Sequence, residues 1–275
     1  MQPSIKFFLL FFYLVLNLNL VFGSNSSPQI IPVYAVKYPL FLSQDENKQL
    51  QGLIPELVTM LNKQLKPTTQ LELKILPPKR LIQQFNTNEI KILFHSPTHF
   101  DHKIKSKILL LPLIKLIDRY AAIKEIEHIK KPKLAYFIGD TEEAQKKGKD
   151  KYQRIGIAKP SGLFPMLIAD RVDLINCLVP TCQYLAQKAG IQLKYHTKSL
   201  GIDTTYGGII IKPGQVSPVL LQKLKMAFQK AYKSSDYQNL MQKTANKIEL
   251  DINQLTIRNS EIIDFFPAND SALFK

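Results

Sequence analysis

Apolar positions in the first third of the chain switch repeatedly between two periods, and each switch marks a new element. Gln29 to Val36 (QIIPVYAV) is rich in β-branched and aromatic residues and predicts a strand. From Gly52 to Leu65, Leu53, Leu57, Leu61 and Leu65 recur every four positions, with Ile54 and Val58 in the adjacent row. That spacing predicts an amphipathic helix, with Pro55 tolerated in its first turn. Gln70 to Leu76 alternates as a strand does, Pro78 to Phe85 reads as a helix opened by proline, and Ile90 to Phe94 (IKILF) reads as the next strand. A β-α-β-α-β order calls for parallel pairing with crossover helices. The stretch from Lys103 to Lys115 gives no clear period, because Pro112 breaks its apolar run.

The alternation then starts again. Arg119 to Lys124 and Gln153 to Ala158 read as strands, separated by a polar insertion from Asp140 to Lys151. Ser161 can cap a helix from about Gly162 to Arg171, Val172 to Ile175 is a short buried strand, and Pro180 opens a helix ending at Gly190. Gln192 to His196 and Tyr206 to Lys212 are strands; Ser217-Pro218 starts a helix, and a second helix begins near Ser235. Beyond Lys247 no period is visible. Two α/β units joined by short strand-like links predict two lobes.

The N-terminus has its own pattern. Lys6 precedes an apolar run from Phe7 to Val21, followed by Val21-Phe22-Gly23. This three-part arrangement predicts a cleavable secretory signal over residues 1–23. The run is shorter than the ~20 residues a membrane span needs. The expected location is the periplasm, as a soluble exported protein. The composition is that of an ordinary globular protein, 45% hydrophobic and 21% charged over 275 residues. Lys and Arg number 37 against 22 acidic residues, a net charge of +15. The lysines are dispersed, however, and Lys146, Lys147, Lys149 and Lys151 are mixed with Asp140, Glu142, Glu143 and Asp150. Without a basic stripe interleaved with aromatics, nucleic acid is not the expected partner.

The residues carry a resemblance. "YPLF" (38–41) with "QGLIPELVTMLNKQL" (51–65) resembles the aromatic loop and the "G-F-D-V-D-L" helix of the bacterial extracellular solute-binding proteins of family 3, with Glu56 at a carboxylate position. "LPPKRLIQQFNTNEI" (76–90) resembles their "P-W-x-R-x-L-x-x-L-x-x-G-x-I" segment. "RIGIAKPSG" (154–162) with "LIADRVDLI" (167–175) resembles "V-G-V-x-x-G-S" and "L-x-x-G-R-V-D-L-V", and residues 206–243 resemble the closing strand and helix pair. The resemblance implies an α/β, two-lobed type II periplasmic-binding fold, each lobe a mixed, mostly parallel sheet flanked by helices, joined by two crossing segments. It places one lobe over 24–116 plus 208–275 and the other over 117–207. It implies a monomeric binding protein without cofactor that delivers a small-molecule ligand to an ABC permease in the inner membrane. The alternative is an orphan sensory or interaction module of the same fold.

Departures from the family pattern bear on the ligand. Amino-acid binders of the family carry "T-x-x-R" after the third strand, whose guanidinium forks the α-carboxylate through two parallel bonds. Here the stretch is "HSPTHFDHK" (95–103), with Asp101 or His102 at the Arg position. The acid that holds the α-ammonium is replaced by Asn176-Cys177-Leu178. The expected ligand is therefore a small polar or anionic molecule other than an ordinary amino acid. Its candidate contacts are Tyr38 and Phe41 for stacking, Arg80 for an anionic group, Ser161 with the Gly162 amide at a helix start, and His95 and Ser96 at a strand end.

No G-x-S-x-G turn and no H-E-x-x-H spacing is present, so neither catalysis nor a metal is expected. Cys177 and Cys182, the only cysteines, are expected to form a disulfide in an oxidising compartment, across a strand-to-helix turn.

Overall fold

A computed structural model describes residues 27–100, 102–137, 151–158, 160–196 and 204–263. The signal segment 1–23, Asp101 and nearly all of the polar insertion at 140–151 lie outside the described residues.

The chain opens with β1 (Gln29–Ala35), a small hairpin β2 (Ser43–Gln44) and β3 (Leu50–Gln51), then α1 (Leu53–Leu65), β4 (Thr69–Ile75), α2 (Pro78–Asn86) and β5 (Ile92–His95). It continues through α3 (His102–Lys105), β6 (Leu109–Ala122), β7 (Lys133–Phe137), β8 (Gln153–Ile157), α4 (Leu163–Ile168), β9 (Leu174–Leu178), α5 (Val179–Ala189) and β10 (Lys194–His196). It closes with β11 (Thr204–Ile211), α6 (Pro218–Tyr232), α7 (Ser235–Lys247) and α8 (Asn259–Ile263).

The main strands lie in the order β4-β1-β5-β11-β6-β9-β7-β8, with β10 also on β6. β1, β4 and β5 pair in parallel, as do β7, β8 and β9. These are the pairs that strand–helix–strand order demands. The antiparallel pairs of this sheet all involve β6 or β11.

β6 is the element that makes two lobes from one sheet. Its residues Leu109 to Ile117 pair with β11, whereas Asp118 to Ala122 pair with β9 and β10. Pro112 does not stop it. The register with β11 shifts between Gly207 and Gly208, and Gly208 stands opposite Pro112. At that bulge the backbones touch: a Cβ on Gly208 would lie 2.0 Å from the Leu111 carbonyl oxygen. A bulge is one of the few places where a sheet accepts proline.

In the first lobe α1, α6 and α7 cover one face, burying Val33, Leu57, Phe94, Leu111, Phe228 and Tyr237. Leu81 and Phe85 of α2 bury Leu93, Leu110 and Ile210 on the other face. In the second lobe α4 and α5 pack on Ala121, Ala135 and Ile175. Ser217 and Ser234 cap α6 and α7, their Oγ atoms accepting from the Leu220 and Tyr237 amides at 3.2 Å.

Two further segments differ from the sequence expectation. The first is β7, for which no strand was predicted. It is short and begins with Lys133, yet Leu134 and Ala135 are fully buried between β9 and β8. The second is the stretch after Lys247, where Ile248, Leu255, Ile257 and Ile262 are buried without any regular period. The Lys115 amide donates to the Leu255 carbonyl at 2.8 Å, and the Tyr232 hydroxyl donates to the Ile257 carbonyl at 2.5 Å. The segment is held by the first lobe rather than by its own pattern.

Candidate ligand cleft

Ligands of open α/β sheets gather at the carboxyl ends of the parallel strands. Here three such ends meet beside the β6–β11 crossing: those of β1, β5 and β9.

The end of β1 leads into the Tyr38–Leu42 loop. The Leu42 amide donates to the Tyr38 carbonyl at 2.8 Å, closing a tight turn. The first amides of α1, on Leu53 and Ile54, donate to the Leu40 and Phe41 carbonyls at 3.1 and 2.9 Å. Otherwise unpaired donors of a helix start thus fix the loop. The approach requires Gly52, whose φ is 114° and whose added Cβ would lie 2.6 Å from the Phe41 carbonyl oxygen. Tyr38 is half-buried, 6.2 Å from the Phe41 ring. Phe41 itself is buried in the first-lobe core.

The end of β5 supplies a row of hydroxyls. Ser96 Oγ lies 2.9 Å from Thr98 Oγ1 and 2.9 Å from Thr205 Oγ1 on β11. It also accepts from the Thr98 amide, capping the turn that follows. His95 Nδ1 donates to the Ser96 carbonyl at 3.0 Å, and its ring stands edge-on to Phe100. Burial pulls the His95 pKa below its ordinary value, only partly opposed by that hydrogen bond. The imidazole is therefore neutral at pH 7.

The end of β9 brings the second lobe to the same place. Thr181, in the first turn of α5, is buried and donates from Oγ1 to the Pro39 carbonyl at 3.2 Å. Leu178 and Tyr184 pack against the first-lobe core, and Lys247 Nζ lies 5.7 Å above the Tyr184 ring. Cys177 and Cys182 are joined by a disulfide that ties the end of β9 to α5, with their Cα atoms 6.3 Å apart. The expected pairing is present, and both residues are buried in the second-lobe core.

The structure thus brings Tyr38, His95 and Ser96 to the crossing. Arg80 sits exposed on the first turn of α2, and among the described residues it makes no hydrogen bond or ion pair. Ser161 is exposed and Gly162 half-buried, in the turn between β8 and the short α4. β8 runs parallel to β7, and β7 to β9, so this turn lies at the carboxyl edge of the second-lobe strands, with β9 and β7 standing between β8 and β6.

Sequence reasoning passed over Thr98, Thr181 and Thr205. The only local signal was a hydroxyl beside a proline-opened turn, for Thr98 and Thr181. Among the described residues no group of His, Cys, Asp and Glu could hold a metal ion. Nor is any helix among them long and apolar enough to cross a membrane.

No family model and no curated protein matches the sequence. Solved structures do match the fold. A solute receptor for L-cysteine of Neisseria gonorrhoeae superposes with a TM-score of 0.66 at 14% identity, covering 84% of this chain and 96% of that one. A variant of the arginine-binding protein ArgBP from T. maritima gives 0.63 at 17% identity, over 79% and 95%. An ancestral amino-acid-binding protein, a precursor of cyclohexadienyl dehydratase, gives 0.60 at 20% identity, over 78% and 94%. At such identities the likeness establishes the two-lobed fold of these binding proteins and leaves the ligand to be argued from the residues.

Proposed function

We propose that this chain is an exported solute-binding protein that captures a small polar or anionic molecule between two lobes and serves an ABC-type importer. The observation that carries this reading is the convergence of the β1, β5 and β9 ends where β6 passes from one lobe to the other. There an aromatic loop and a hydroxyl row from one lobe face the start of α5 from the other. The reading takes residues 1–23 as a cleaved signal, 24–116 plus 208–275 as one lobe and 117–207 as the other, acting as a monomer in the periplasm.

The chemistry of the wall sets the ligand class. The sequence has Asp101 or His102 at the Arg position of an amino-acid clamp and Asn176-Cys177-Leu178 in place of the acid, and this reading draws instead on Ser96, Thr98, Thr205 and a neutral His95. Hydroxyls both donate and accept, and a neutral His95 whose Nδ1–H is given to the Ser96 carbonyl keeps Nε2 as an acceptor, which suits a ligand rich in hydroxyl groups. Arg80, exposed at the start of α2, is the cation this reading assigns to an anionic group.

A thermal-shift screen of amino acids, organic acids, polyamines and sugars tests the reading. A ligand at 100 times its Kd adds about 2.7 kcal/mol of stability. For a chain of this size that raises Tm by about 5–10 °C. Such a rise with one hydroxyl-rich or anionic class is expected; a Tm unmoved by every class at millimolar concentration overturns the proposal. If the ligand is anionic, Arg80→Ala should weaken its binding by about 1.5–3 kcal/mol.

A further inference from the structure

α6 has two faces, and the core uses only one. Leu224, Ala227, Phe228, Ala231 and Tyr232 are buried against the first lobe. On the opposite side Val219, Gln222, Lys223, Met226, Lys230 and Lys233 are all exposed. At 100° per residue these six positions fall within about one third of the helix circumference, so they form a single stripe. Val219 is 66% exposed and Met226 46%, two of the four large hydrophobic side chains left open among the described residues.

The helix itself carries charge of one sign. No acidic residue occurs between Pro213 and Ser235, and the stripe carries Lys223, Lys230 and Lys233. Asp236, the first acid beyond it, is already bound to Lys63 at 2.8 Å. Lys223 Nζ is held at the rim by Thr68 Oγ1 at 3.1 Å. Two open apolar side chains framed by lysines match a surface that is negatively charged outside and apolar just beneath. Nucleic acid would instead ask for stacking aromatics, and the stripe has none.

We propose that the exposed face of α6 docks on an anionic phospholipid surface, with Val219 and Met226 entering the headgroup layer and the lysines meeting phosphates. This contact is independent of what the cleft binds. It would hold a binding protein at the membrane that bears its transporter, and it would stand whether or not a cleft ligand is found.

Co-sedimentation of the exported form, residues 24–275, with vesicles tests it, comparing phosphatidylcholine alone with a 3:1 mixture of phosphatidylcholine and phosphatidylglycerol. Partition coefficients for both vesicle types and their ratio are read. A lysine near an anionic surface contributes roughly a five-fold gain. Lys223→Glu with Lys230→Glu should therefore lower the ratio at least ten-fold at about 0.1 M salt. Lys130→Glu with Lys131→Glu, the same charge change on exposed residues elsewhere, should lower it far less. Val219→Ser with Met226→Ser should lower binding to the mixed vesicles at least three-fold with Tm unchanged. An equal loss in the Lys130 and Lys131 control would mean diffuse attraction by net charge and overturn the proposal. So would full binding by the Val219 and Met226 variant.

Discussion

Gly208 has no room for a side chain, because a Cβ there would meet the Leu111 carbonyl oxygen at 2.0 Å and Pro112 Cα at 2.9 Å. Both obstacles are backbone, so neither can swing away. Gly208→Ala should cost about 4 kcal/mol or more, among the largest effects of single substitutions. Gly214→Ala, with nothing within 4 Å of its added Cβ, should stay within about 0.5 kcal/mol. Urea midpoints of the two variants check the contrast. Charge makes a second residue-level case. Lys115 and Glu261 are 2.9 Å apart with side chains only 14% and 15% exposed. Burial alone would raise the Glu261 carboxyl, but the Arg258 amide and the Lys115 and Arg258 side chains pull it down to about 2. A lowered carboxylate pKa adds stability that is full above its ordinary value of 4.5 and is lost as pH falls towards 2. Glu261→Gln should cost about 1.5–3 kcal/mol at pH 7 and progressively less below pH 4.5. An equal cost at pH 7 and pH 3 would show that the pair's charge is not what stabilises the tail.

At the scale of elements, the disulfide joins β9 to α5, and α5 carries Thr181 to the Pro39 carbonyl. Closing a loop of sequence separation 5 stabilises by about 2 kcal/mol on the loop-entropy model. Cys177→Ser with Cys182→Ser should lose that amount, read as a lower Tm, and dithiothreitol should lower the Tm of the parent protein but not of the variant. Two alkylatable thiols in protein taken from an oxidising compartment would contradict the pairing. The same turn positions Leu178 and Tyr184 against the first lobe, so loss of the bridge should also loosen the start of α5 in hydrogen exchange. Tyr237 shows how an element is locked from outside. Its hydroxyl donates to the Leu113 carbonyl of β6 at 3.0 Å in a fully buried position. Tyr237→Phe removes that donor from a buried carbonyl and should cost about 1–3 kcal/mol.

For the whole molecule the decisive feature is that β6 serves both lobes, while the Thr181–Pro39 bond and the Tyr184 contacts hold them together at the crossing. Lobes that share a strand can move by hinge bending about it. Small-angle scattering should show a smaller radius of gyration when the ligand found by thermal shift is present. Thr181→Val keeps the volume but removes the donor, and should shift the ligand-free protein towards a larger radius. Identical profiles for parent and variant would mean that the Pro39 contact does not hold the lobes.

Much of this architecture is written locally. The four-residue recurrence of Leu53, Leu57, Leu61 and Leu65 dictates a helix with one buried face, and Ser217-Pro218 starts another, because period and cap act within a few residues. The alternation of strands and helices dictates the parallel pairs, and two cysteines across one turn dictate their bridge. Tertiary structure alone decided what distant segments do to each other. Pro112 lies inside a strand because a bulge at Gly208 accommodates it. The segment after Lys247 is ordered by the first lobe, and β7 is buried because β9 and β8 flank it. The cleft belongs to this second class. Ser96 meets Thr205 across 109 positions of sequence, and Thr181 meets Pro39 across 142. A hydroxyl's role at such range depends on which backbone the fold brings opposite it, and no local period records that.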